Sequence, residues 1–252
     1  MLYKCLPDFM TNPLLGKRKL YHAKNIDHND PEWIEWKKHY DDYYKQFHGL
    51  SLGLWMERQG HGIIKHVDLN GKTVVEAGPG MVMHLKHTST RPQKYILMDI
   101  SKDFLEESRK HIKATYGIDG ETILTGRGQI PLPDNTADVF LTFQQLEHVD
   151  NLEEYVKEIK RVIKPGGWLV GAVPAEGGIL FGIGRYFTTR KMVHKLYNVD
   201  YDKIICWEHP NFVDKIKSLL DTDFVKIKSV NSPLPFLPMD LCATWSFIYQ
   251  KQ

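Results

Sequence analysis

Residues 72–81 read Lys72-Thr73-Val74-Val75-Glu76-Ala77-Gly78-Pro79-Gly80-Met81, and the architecture follows from them. Thr73 to Glu76 is a short run rich in β-branched residues, closed by an acid. Such a run reads as a parallel strand buried on both faces. Gly78-Pro79-Gly80 then turns the chain. Glycine permits a tight turn and lets a ligand approach without meeting a Cβ. Met81 to Leu85 reads as the start of a helix whose first amides face the turn. Strand, glycine turn and helix in that order seat a nucleotide-like ligand.

The chemistry of the turn narrows the ligand. A dinucleotide fingerprint needs a further glycine at position 83, where Met83 stands. Glu76 would repel a pyrophosphate but suits an ammonium group. A ligand with adenosine at one end and a cationic amino acid at the other fits better: S-adenosylmethionine. A second buried strand, Lys94-Tyr95-Ile96-Leu97-Met98-Asp99, also ends in an acid. Asp99 lies about 20 positions beyond the glycine turn, where a carboxylate accepts hydrogen bonds from ribose hydroxyls. The next helix does not need Asp99 as its cap, because Ser101 serves.

With 252 residues, the chain suffices for one large α/β domain with a cap. A net charge of +2 gives no basic surplus of the kind a nucleic-acid binder shows. No apolar run is long enough to span a bilayer, and the first residues lack the apolar core of a signal peptide. Cys5, Cys206 and Cys242 are far apart, without metal-ligand spacing. They are expected to be reduced, which places the protein in the cytoplasm. No metal is expected, and a homodimer is left open.

Residues 1 to about 28 read as an irregular arm. Asp30-Pro31 reads as a helix start, with Asp as cap and Pro in the first turn. The helix to His48 puts Trp33, Trp36, Tyr40, Tyr43, Tyr44 and Phe47 mostly on one face. That face either packs on the core or forms a lid, with Tyr44 on the substrate. A second helix is expected from Leu52 to His66. Beyond Asp99 the expected elements are a helix over 102–116, a strand over 122–125, a strand over 137–143 and a helix over 152–163. A strand over 168–174, a helix over 211–220 and two strands over 223–230 and 243–249 follow.

The chain resembles the class I S-adenosylmethionine-dependent methyltransferases, in the subgroup of quinone-biosynthesis and small-molecule enzymes. The motifs are Val75-Glu76-Ala77-Gly78-Pro79-Gly80, Leu97-Met98-Asp99, Ile130-Pro131-Leu132-Pro133-Asp134, Leu146-Glu147-His148-Val149 and Ile163-Lys164-Pro165-Gly166-Gly167. The resemblance implies a doubly wound α/β fold: a mostly parallel seven-stranded sheet with an antiparallel last strand. Residues 1–70 would be an arm and lid helices, and 71–252 the methyltransferase domain with a cap insertion at 175–209. It also implies a cofactor site. Glu76, Gly78, Pro79 and Gly80 would line the methionine end, with Asp99 and Ile100 at the ribose. Gly128, Gln129 and Ile130 would lie along the adenine, and Gln144 after the fourth strand. Two positions depart from the family. Val82 stands where a third glycine is usual, so turn and helix should pack differently. Arg127 replaces an acid that bonds the adenine amino group, so Gln129 or a backbone carbonyl must accept instead.

Methyl transfer is an in-line displacement, so the protein chiefly positions the acceptor and removes its proton. His148, just past the fourth strand, and His209, oriented by Glu208, are the candidate bases. The insertion carries Arg185, Tyr186 and Arg190, with Lys191 and Lys195, placed to hold an anionic group on the substrate. The expected function is therefore methyl transfer from S-adenosylmethionine, leaving S-adenosylhomocysteine, to a small molecule. A hydroxyl of a sugar or sugar derivative is the first expectation. A quinone or lipid precursor is the alternative, and a non-catalytic cofactor-binding partner protein a further one.

Overall fold

The strand and helix segments between residues 73 and 250 close into one seven-stranded sheet, of order β3-β2-β1-β4-β5-β7-β6. The computed structural model describes residues 1–21, 26–49 and 59–252, without the side chains of residues 41 and 44–49. Strands β1 (Thr73–Ala77), β2 (Lys94–Asp99), β3 (Gly120–Leu124), β4 (Ala137–Phe143) and β5 (Ile163–Pro174) pair in parallel. β7 (Thr244–Gln250) runs antiparallel to both its neighbours, β5 and β6 (Val225–Ser232). This is the doubly wound sheet with a reversed last strand that the motifs imply. β1 is hydrogen-bonded along both edges, and its side chains enter two cores. Val75 and Ala77 pack with Ile96 and Phe140 on one face, and Val74 with Leu97 and Leu141 on the other.

The helices begin where the sequence supplies caps. Asp30 Oδ1 accepts from the amides of Glu32 (3.0 Å) and Trp33 (3.2 Å), opening α2 (Pro31–Gly49). Ser101 Oγ accepts from Phe104 N to open α3 (Lys102–Tyr116), which ends at Gly117 with φ 70°. α4 (Leu152–Val162) buries Leu152, Tyr155, Val156, Ile159 and Val162 along one stripe. The last helix, named α8 below, spans Val213–Asp223.

Several segments differ from expectation. The arm is not irregular: Asp8–Leu15 form α1, although Pro13 lies inside it. Tertiary docking outweighs the proline, since Leu15 is buried and Lys17 N donates to Asp202 O at 2.8 Å. No α-helix follows the glycine turn directly; a short 3₁₀ turn, Met83–His87, stands there. Its cause is Val82, which adopts φ 50°, ψ 42°. A valine in this left-handed region costs about 1–2 kcal/mol. Complete burial of its side chain, 1% exposed, offsets a cost of that order. The backbone at Val82 thus takes a left-handed conformation that a glycine would adopt without strain. β5 starts at Ile163 rather than Trp168, and its pairing with β4 shifts register between Ala137 and Val139. That irregularity admits Pro165, Gly166 and Gly167 into the strand. Of the expected helix from Leu52 to His66, residues 52–58 lie outside the described residues, 59–61 are helical and 62–66 form a 3₁₀ turn.

The insertion is mostly helical. It forms α5 (Ile179–Arg185), a π turn at Tyr186–Arg190, α6 (Lys191–Leu196) and α7 (Tyr201–Glu208). Trp33 and Trp36 of α2 are buried against it, with Trp33 and Trp207 edge to face at 5.6 Å. That part of the aromatic face is therefore core.

The end of β4 is set by close approach to β5. A Cβ at Gly171 would stand 2.0 Å from Thr142 O and 2.9 Å from Phe247 Cζ. Gly171→Ala should therefore lower unfolding stability by more than about 2 kcal/mol in chemical denaturation. Unchanged stability would contradict this packing.

Candidate active site

A cavity of about 650 Å³ opens at the carboxyl ends of β1, β2, β4 and β5, a size typical of small-molecule sites. Its first end is built from the turns that leave the strands. Gly78, Pro79 and Gly80 line it, with φ 64° at Gly78 and 48° at Gly80. A Cβ at Gly78 would also meet Gln145 Cγ at 2.9 Å. Asp99 and Ile100 line it from the end of β2, and Asp99 Oδ1 accepts from Ser101 N at 2.8 Å. Burial raises the Asp99 pKa, and the amides of Ser101 and Ile100 partly counter it. Gly128 and Gln129 complete the wall, the Gln129 amide lying against Gly126. Arg127 reaches Asp150 at 3.5 Å, so an acid missing from position 127 lies nearby on the same cavity. Gln144 also lines it, held at φ 55° with its amide donating to Ala172 O.

Two residues expected at this end lie elsewhere. Ile130 is buried in the core between β4 and α4. Glu76 is fully buried behind the wall, because alternate side chains of β1 point away from the turn's mouth. Tyr95 donates its hydroxyl to Glu76 Oε2, and His84 Nδ1 lies 3.5 Å from Glu76 Oε1. His84 itself lines the cavity, stacked on Phe143 at 4.5 Å. Burial pushes the Glu76 carboxyl up to about 8, against the opposing Tyr95 hydrogen bond.

The second end gathers titratable groups from β4, β5 and the cap. His148 and His209 both line it, their rings edge to face at 4.4 Å. His148 Nδ1 lies 2.8 Å from Glu208 O. A carbonyl only accepts, so Nδ1 carries the proton and Nε2 the lone pair. Burial and then the neighbouring His209 push the His148 pKa down to about 3. His209 is oriented by Glu176, not by Glu208 as expected: its Nδ1 lies 2.5 Å from Glu176 Oε2. Glu208 accepts instead from Trp36 Nε1 (2.8 Å) and Lys37 Nζ (3.0 Å). Burial opposes the charged imidazole of His209, but the Glu176 carboxylate outweighs it and the pKa rises. Glu147, which the sequence motifs include without a role, lines the cavity with Oε2 buried and without a partner among the described residues. Burial raises it to about 7.

Of the basic residues expected at the substrate, only Arg185 lines this cavity. Arg190 is spent on Asp202, with Nε–Oδ1 and Nη2–Oδ2 both 2.8 Å. Tyr186 lies outside the cavity, its ring 5.0 Å from the Arg190 guanidinium carbon. The Tyr44 side chain is outside the described residues, whereas Tyr40 and Tyr43 of the same face line the wall. Tyr201 and Phe181 of the cap also line it, and no motif marks them in the sequence. Among the described residues no His, Cys, Asp or Glu cluster could hold a metal, and no helix is long and apolar enough to cross a membrane.

A family model described as a methyltransferase domain matches residues 75–171, which contain every residue named above on the first wall. These residues are a class I S-adenosylmethionine-dependent methyltransferase domain. A demethylmenaquinone methyltransferase of Symbiobacterium thermophilum is 32% identical over 120 residues, 46% of this chain and 48% of that protein. A ubiquinone/menaquinone biosynthesis C-methyltransferase of Desulfotalea psychrophila is 32% identical over 112 residues, 44% of each chain. The matches thus span about half the length of these curated relatives. The crystal structure of a SAM-dependent methyltransferase from Aquifex aeolicus superposes with a TM-score of 0.53 at 15% identity. It covers 78% of this chain and 92% of its own, and shares the fold.

Two titrations test the electrostatics of the methyltransferase domain and its cap. By NMR, the His209 ring should titrate above 6.5, and the His148 ring should stay neutral at pH 5. Glu176→Gln should move the His209 midpoint down; an unmoved midpoint would separate the pair. Glu76 binds its proton more tightly folded than unfolded, so its contribution is complete below about 4.5 and lost as pH rises through about 8. The melting temperature should therefore fall more between pH 5 and 8 in the wild type than in Glu76→Gln. Parallel curves would contradict a neutral Glu76.

Proposed function

We propose that the chain transfers a methyl group from S-adenosylmethionine to a small-molecule acceptor. The observation that carries this is one continuous cavity, with the Gly78–Gly80 turn and Asp99 on one wall and His148 and His209 on another. The first wall fits the cofactor. Its backbone turns at two left-handed glycines, one of which a Cβ would fill, and a half-buried carboxylate, Asp99, stands beside it. Asp99 would take the ribose, the Gly78–Gly80 backbone the amino-acid end, and Gly128, Gln129 and Gln144 the remainder. The bound cofactor supplies a methyl carbon activated by its sulfonium.

The residues of the second wall handle the acceptor's proton. His209 Nε2 accepts it, and Glu176 on Nδ1 orients the ring and stabilises the imidazolium that forms. His148, neutral and with Nε2 as acceptor, holds the acceptor in place by a hydrogen bond. Glu147, poised near neutral pH, can take up a proton beside them.

For the acceptor, a quinone-type or lipid precursor is favoured over a sugar. The two relatives described above are named for quinone methylation, others are named only as S-adenosylmethionine-dependent methyltransferases, and no printed name points to a glycan. Tyr40, Tyr43, Phe181 and Tyr201 on the second wall also suit a ring better than a polyol. Loss of a phenolic proton would make either the oxygen or the adjacent ring carbon the nucleophile.

S-Adenosylhomocysteine should raise the melting temperature, adding about 2.7 kcal/mol at 100 times its dissociation constant. Asp99→Ala should weaken that binding at least tenfold. An equal shift with NAD would contradict the cofactor. Labelled methyl from S-adenosylmethionine should appear in a reduced naphthoquinone or a hydroxylated naphthalene that bears a carboxylate; label in a nucleotide sugar alone would overturn the acceptor class.

A further inference from the structure

Arg185 is the one cation of the second wall that the protein leaves without a counter-charge in contact, among the described residues. Its neighbours are matched. Arg18 Nη2 meets Glu176 Oε1 at 3.1 Å and its Nη1 donates to His209 O. Lys37 meets Glu208 at 3.0 Å. Glu176 is already shared with His209, and Glu208 with Trp36. Arg185 is 5% exposed, and Nε donates to Leu14 O at 3.0 Å. Both terminal nitrogens, Nη1 and Nη2, are buried with no hydrogen-bond partner. The guanidinium carbon lies 5.5 Å from the centroid of the Tyr201 ring, a contact that only partly replaces lost water.

A guanidinium stays charged in proteins and carries its terminal donors in a fixed fork. Leaving such donors buried and unpaired is costly, the more so for a charged group. Native structures rarely tolerate this except where a ligand completes the set. Arg185 lines the cavity near His209 and Tyr201, on the acceptor's wall. Because Glu176 and Glu208 are already paired with other groups, the unpaired Arg185 fork favours negative charge on the second ligand.

Resting on the methyl-transfer reading above, we propose that the acceptor carries an oxyanion, a carboxylate or a phosphate, and that Arg185 grips it through Nη1 and Nη2. The bidentate geometry fixes the acceptor's orientation as well as its charge. The other insertion cations play no part: Arg190 is held by Asp202, and Lys191 is exposed on the outer face of α6.

Calorimetry with three probes tests this: benzoate, benzamide as its uncharged counterpart, and inorganic phosphate, each with and without S-adenosylhomocysteine. Benzoate or phosphate should bind the wild type at least tenfold more tightly than benzamide, and the better of the two identifies the oxyanion. Arg185→Met should weaken that binding at least tenfold, Arg185→Lys should restore part of it, and Lys191→Met should leave it within twofold. The inference is overturned if neither anion binds, if benzamide binds as well as benzoate, or if Arg185→Met binds the anion normally. The wild-type comparison stands even if Arg185→Met fails to fold. Anion binding without S-adenosylhomocysteine would survive a failure of the cofactor assignment. A cofactor-induced melting shift would likewise survive a failure of the Arg185 assignment.

Discussion

The chain leaves β1 through Gly78, Gly80 and Val82, each at positive φ, and the site depends on that exit. The sheet continues from β1 to β2 and β3 on one side and to β4 and β5 on the other. Connections therefore diverge at β1 and leave a crevice beyond its carboxyl end, where ligands of open α/β sheets bind. A left-handed backbone at the crevice keeps Cβ atoms out of it at the two glycines. Val82 holds the same conformation and turns its side chain into the core. One strained valine thus keeps the cavity's shape while contributing to the packing beneath it.

The second half of the site comes from elements remote in sequence. Glu176, just after β5, binds Arg18 from the N-terminal segment and His209 from the start of the last connection. Lys203 of α7 meets Asp30 and Glu32 at the start of α2. Trp33, Trp36 and Trp207 fill the space between α2 and α7. The helices that precede the sheet are therefore bound to the insertion that follows β5, and together they cover the crevice. Buried ion pairs of this kind stabilise little on balance, but losing one partner is costly. Their contribution is to hold His209 and Arg185 at fixed places above the strand ends.

The sheet was legible because a buried parallel strand must be apolar throughout, and β1, β2 and β4 are written that way. Glycine and acid positions at strand ends brought Gly78, Gly80, Asp99 and Gly128 onto one cavity. Glu76 misled because the motif gives its place in the chain but not its side of the strand. Only the pairing with Tyr95 and His84 fixes that. The cap was harder. Its basic residues look alike in sequence, yet Asp202 neutralises Arg190 and nothing among the described residues neutralises Arg185. That distinction is tertiary. So is the exchange of Glu208 for Glu176 behind His209, since the adjacent residue in the chain points toward α2 and the distant one toward the ring.

Hydrogen–deuterium exchange with and without saturating S-adenosylhomocysteine tests the central claim, that turns after separate strands form one binding wall. Amides of residues 78–82, 99–101, 126–129 and 144–148 should be protected together, while those of α8 and β6 stay unchanged. Protection confined to one of these turns, or lying chiefly in α8 and β6, would contradict it.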